Sequence, residues 1–122
     1  MLINNFFSVV EKHSGANNIE AIISLNKDHS IFNGHFPQMP VVPGVCMVQM
    51  VREVLEMDIQ VKLRISSADS IKFLSVINPN EVATVKFSAQ FSLMENDRYK
   101  VVASIFYDEV IYFKLSGIFN VV

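Results

Sequence analysis

Residues 34–56 read GHFPQMPVVPGVCMVQMVREVLE, and the change of character at Pro43-Gly44 decides how the chain is organised. From Asn33 to Gly44 the prolines Pro37, Pro40 and Pro43 stand among two of the chain's four glycines. Proline lacks a backbone donor and clashes with the preceding helical turn, so this density of breakers excludes regular helix and central strand. An irregular, stiff loop is expected there. Beyond Pro43-Gly44, Val45, Val48, Val51 and Leu55 recur at helical spacing, and Met47 and Val54 widen the apolar face. One helix is expected over roughly Gly44 to Glu56.

Working outward, Ile19–Leu25 (IEAIISL) is rich in β-branched residues and bounded by Asn18, Asn26, Lys27 and Asp28, which signals a first strand. After the helix, Lys62–Phe73, Glu81–Leu93, Tyr99–Tyr107 and Val110–Val121 are rich in Val, Ile, Phe and Tyr. Asn78-Pro79-Asn80, Glu95-Asn96-Asp97 and Asp108-Glu109 separate them as turns. In the second of these segments Ala83, Val85, Phe87, Ala89, Phe91 and Leu93 alternate with polar neighbours, so one face is expected to be buried. A strand, a helix and four further strands describe an α+β domain in which one helix lies on an antiparallel sheet.

The 122 residues, half of them apolar, suit one domain over 1–122 with a core of its own. A net charge of -2 offers no basic field for a phosphate backbone, which argues against nucleic acid as a partner. Charged or amide residues interrupt every apolar stretch short of the roughly 18 to 20 residues that span a bilayer. The single cysteine, Cys46, cannot form an internal disulfide, and the opening MLINNFF lacks the pattern of a secretory signal. A reducing cytoplasm is the expected compartment.

The chemistry is expected at the loop-to-helix junction. A histidine in a proline-stiffened loop, His35, loses little entropy on reaching its working geometry, and imidazole suits proton transfer near neutrality. Gly44 opens a helix whose free N–H groups and positive dipole end can hold a carbonyl oxygen as negative charge builds on it. Pro43 fits at that start because it has no N–H to leave unpaired. Cys46, in the first turn, is a candidate nucleophile beside His35, or a small core residue. His13 and His29 have no partners at motif spacing and read as surface residues. The methionines, Met39, Met47 and Met50 among them, read as core filler that would also suit an acyl chain. No metal site is recognised.

The twelve residues Gly34-His35-Phe36-Pro37-Gln38-Met39-Pro40-Val41-Val42-Pro43-Gly44-Val45 resemble, without a gap, the signature G-H-F-P-x-x-P-x-x-P-G-V of the 3-hydroxyacyl-[acyl carrier protein] dehydratases. A weaker resemblance in element order extends over nearly the whole chain. It implies a hot-dog fold, with one central helix packed on a curved antiparallel sheet. It also implies dehydration of a 3-hydroxyacyl thioester carried by the phosphopantetheine of an acyl carrier protein, with no further cofactor. His35 is then the base, Gly44 the carbonyl donor, and Phe36, Met39, Pro43 and Val45 are substrate contacts. The resemblance further implies a homodimer, or an assembly of dimers, in which His35 of one chain faces the helix of the other. Lys62, Arg64 and Lys72 are candidates for the rim that meets an acidic carrier protein.

One position departs from the family. Fourteen residues after the histidine the family carries Glu or Asp, and here stands Gln49, which can hold a hydroxyl but cannot protonate it as an acid does. Glu53 stands one turn on, where the family often has Gln, and it is the alternative acid. Gln49, Arg52, Glu53 and Glu56 also have the spacing of a solvated helix stripe. A thioesterase using a helix carboxylate and a weakened accessory subunit that binds acyl chains beside an active dehydratase are the competing functions.

Overall fold

The computed structural model describes residues 2–33 and 40–122, and within them one helix is wrapped by six strands. In chain order these are β1 (Phe7–Ser14), β2 (Asn18–Leu25), α1 (Gly44–Ile59), β3 (Leu63–Phe73), β4 (Thr84–Met94), β5 (Arg98–Tyr107) and β6 (Val110–Val121). The strands form one antiparallel sheet in the order β1-β2-β4-β5-β6-β3. Alternation along β4 places Val85, Phe87, Ala89 and Phe91 in the core, as do Val101, Ala103 and Ile105 on β5 and Phe113, Leu115 and Phe119 on β6. Met47, Met50, Val51, Val54 and Leu55 of α1 complete the same hydrophobic cluster. No helix among the described residues is long and apolar enough to cross a membrane.

Four differences from the sequence-based expectation have identifiable physical causes. β1 was not expected, because its residues FSVVEKHS are polar over the second half and its alternation is broken by a bulge between Val9 and Glu11. Pairing with β2, not its own pattern, makes it a strand. α1 runs past Glu56 to Ile59 and stops where Gln60 turns left-handed (φ 66°) and its N–H reaches the Glu56 carbonyl. β4 begins at Thr84 because the amides of Glu81 and Val82 are taken by the Asn78 carbonyl. Leu93, on the apolar side of the alternation, is exposed because it lies near the end of the strand. The β4–β5 hairpin uses Asn96 and Asp97, both at positive φ, as a turn of the type whose twist matches its strands requires.

Candidate active site

The loop residues His35, Phe36 and Met39, expected to supply the base and substrate contacts, lie outside the described residues. From Pro40 the path is defined. Val42 is buried and its N–H donates to the Ile77 carbonyl at 2.8 Å, which ties the end of the loop to the segment between β3 and β4. Pro43 then stands as the residue before α1, in extended conformation (φ -62°, ψ 144°), so the helix begins directly after it. Its carbonyl accepts from Cys46 N at 3.0 Å and Met47 N at 3.3 Å. The N–H groups of Gly44 and Val45 precede those bonds and have no partner among the described residues. Among the described residues no side chain caps this end and no acidic residue lies in its first turn, so none of them offsets the positive end of the dipole.

Gly44 lies directly beneath an aromatic ring, which would have to swing aside for any side chain at this position. A Cβ on it would lie 2.7 Å from Cε1 of Phe73, whose ring covers this end of the helix and packs against Phe113 at 5.4 Å between centroids. Phe73, half exposed at the end of β3, is therefore a neighbour of the site that the sequence did not signal. Val45 points outward, 75% exposed. Cys46 faces the core, and burial pushes its thiol up from 9.0, away from the thiolate a nucleophile needs.

One turn further on, Gln49 and Glu53 are joined. Gln49 is partly buried, and its Nε2 donates to Glu53 Oε2 at 2.7 Å. Glu53 is only 1% exposed, so it does not belong to a solvated stripe. Its oxygens also accept the backbone N–H of Leu2 at 2.9 and 3.0 Å and that of Ile3 at 2.8 Å. The carboxylate thus anchors the segment that leads to Phe6, a fully buried ring set against His29 and Phe32. Glu56 is spent similarly, accepting Leu63 N at 2.7 Å. The Arg52 Nε is buried with no partner among the described residues.

Of the remaining histidines, His13 is exposed, whereas His29 is partly buried and its Nδ1 accepts Ile31 N at 3.1 Å, capping the short 3-10 turn at Ser30–Phe32. Lys72 pairs across the sheet with Lys114 and lines a depression with Ser70, Ser88, Ser104 and Ser116. Alternation puts it on the opposite face from Phe73, which covers the helix start.

A family model described as ApeI-like, ApeI dehydratase, matches residues 11–105. The chain belongs to this dehydratase family. Among curated proteins it is similar to the 3-hydroxyacyl-[acyl-carrier-protein] dehydratase FabZ of Ruminiclostridium cellulolyticum, 26% identical over 104 residues that cover 80% of this chain and 72% of that protein. The corresponding FabZ of Roseobacter denitrificans is 33% identical over 75 residues, 54% of this chain and 48% of that one. Among solved structures, the dehydratase heterocomplex ApeI:P from Xenorhabdus doucetiae superposes with a TM-score of 0.73 at 16% identity, covering 92% of this chain and 96% of its own. An uncharacterised protein from Erwinia carotovora subsp. atroseptica follows at 0.66 and 21%, covering 93% and 94%. These likenesses establish the hot-dog fold for this ApeI-like chain, with Gly44 and Gln49 on α1.

Proposed function

We propose that this ApeI-like dehydratase removes water from 3-hydroxyacyl thioesters presented on the phosphopantetheine arm of an acyl carrier protein, as a homodimer and in the cytoplasm. The observation that carries this reading is the start of α1, where the Gly44 and Val45 amides have no partner among the described residues. The thioester carbonyl accepts from those amides, which stabilise its oxygen as the Cα proton leaves. His35 takes that proton, the new C=C forms, and the C–O electron pair departs on the hydroxyl oxygen. The imidazolium then returns the proton to that oxygen, so water leaves and His35 ends as it began. Gln49 holds the hydroxyl. Glu53 is not the acid in this scheme, because both of its oxygens are occupied by the Leu2, Ile3 and Gln49 donors.

The test is incubation of the protein with a 3-hydroxyacyl carrier-protein thioester, followed by mass spectrometry of the acyl arm. Loss of water that disappears in His35→Ala, with the fold intact by circular dichroism, is the expected result, and the variant should lose at least ~10²-fold in rate. Release of free acid would replace this reading with thioester hydrolysis. A second reading follows from Gln49 standing where the family has its carboxyl group: an accessory chain beside an active dehydratase, as the Xenorhabdus doucetiae neighbour is itself a heterocomplex. Retained carrier-protein binding without turnover would favour it.

A further inference from the structure

We infer that Glu53 is a positioning residue that fixes which end of the Gln49 amide meets the substrate. The inference rests on the dehydratase reading for its chemistry, but the geometry stands by itself. A glutamine amide presents an acceptor oxygen and a donor nitrogen, and a half-turn about its last torsion exchanges them at little cost. Here that exchange is blocked. Nε2 of Gln49 lies 2.7 Å from Oε2 of Glu53, a carboxylate that only accepts, so turning the amide would set two acceptor oxygens against each other. Glu53 cannot swing aside to permit it. Its side chain is buried and both oxygens hold backbone N–H groups of Leu2 and Ile3, 51 and 50 residues away in sequence.

With one N–H of Nε2 committed to Glu53, Oε1 is the acceptor that Gln49 keeps for the substrate. The substrate's 3-hydroxyl then donates its proton to Oε1. Its oxygen keeps its lone pairs free for the proton that His35 returns. A carboxylic acid at position 49 would do the reverse, donating to that oxygen. The exchange of Gln and Glu along α1 thus separates two tasks that one acidic residue combines: Gln49 orients the leaving group, and the proton comes from elsewhere. Glu53 touches no substrate in this arrangement and acts through Gln49.

Two measurements on the full-length chain test this. In the uniformly ¹⁵N-labelled protein, one side-chain N–H of Gln49 should exchange with water at least ten-fold more slowly than those of the exposed Gln90, and Glu53→Gln should remove that protection. Solvent-rate exchange of both Gln49 protons in the unmodified protein would overturn the inference without any variant having to fold. In turnover, Glu53→Gln should lower kcat by about ten-fold, the worth of one charge-assisted hydrogen bond, with KM within two-fold. The kcat–pH profile should keep its shape and drop as a whole. Loss of one limb of that profile would make Glu53 the acid and overturn the positioning role. The double variant Gln49→Glu with Glu53→Gln, which restores the pair in reverse order, should recover the rate. A protected Gln49 amide in a protein without dehydration would support the lock and defeat the dehydratase reading.

Discussion

The two edges of the sheet, each broken by bulges, differ in what flanks them. β1, at one edge, is broken by its bulge, carries Glu11, Lys12 and His13 in succession, and is strapped to the end of α1 by Lys12 and Ser14, both on Asp58. Charge, a bulge and a covering contact are the devices that keep an edge from pairing with another chain. β3, at the other edge, is also irregular, with register shifts between Ile65 and Ser67 and between Ala68 and Ser70, and carries Arg64, Asp69 and Lys72, but it passes into exposed Phe73, Leu74 and Val76. It is held close to β6 by Gly117, where a Cβ would lie 2.5 Å from the Ser67 carbonyl oxygen. β1 is covered at the far end of α1, whereas β3 runs beside its start, so the homodimer proposed above would share its site only if it paired through β3.

The contrast is sharpest if charge is placed on β3. Ser67→Lys combined with Ile71→Lys should shift the scattering mass at micromolar concentration to that of one chain, and dehydration should fall by ~10²-fold or more if the site is shared between copies. An unchanged assembly would mean that β3 is not the pairing edge. Gly117→Ala presses on backbone that cannot yield and should cost about 1–3 kcal/mol in urea unfolding. Asp58→Ala removes the strap on β1, including the 3.1 Å contact of Lys12, and should cost about 1 kcal/mol, less in high salt. Val10→Lys, at a site 66% exposed on β1, should change stability by less than about 0.5 kcal/mol and leave the assembly intact.

Much of this molecule is legible in local sequence. Proline at 37, 40 and 43 restricts the chain within a residue or two of itself, helical spacing from Val45 to Leu55 needs only a few turns, and Asn96-Asp97 satisfies its turn alone. The loop-to-helix junction, four of the strands within three residues of their bounds, and β6 from end to end follow from such short-range terms. β1 does not, because its second half has no apolar alternation and only β2 makes it a strand.

The site divides along the same line. That Gly44 opens a helix after Pro43 is set by the φ of proline and its missing donor, and is visible before any folding. That Phe73 lies on Gly44, that Cys46 turns inward and that Glu53 is buried were decided by tertiary structure alone. A glutamate at i+4 from a glutamine looks the same in sequence whether water or a backbone amide is its partner. Its partners here are the N–H groups of Leu2 and Ile3, which carry no side-chain signal and lie about fifty residues away. Only the closure of the chain brings a buried carboxylate the donors it needs, and with them the orientation of Gln49.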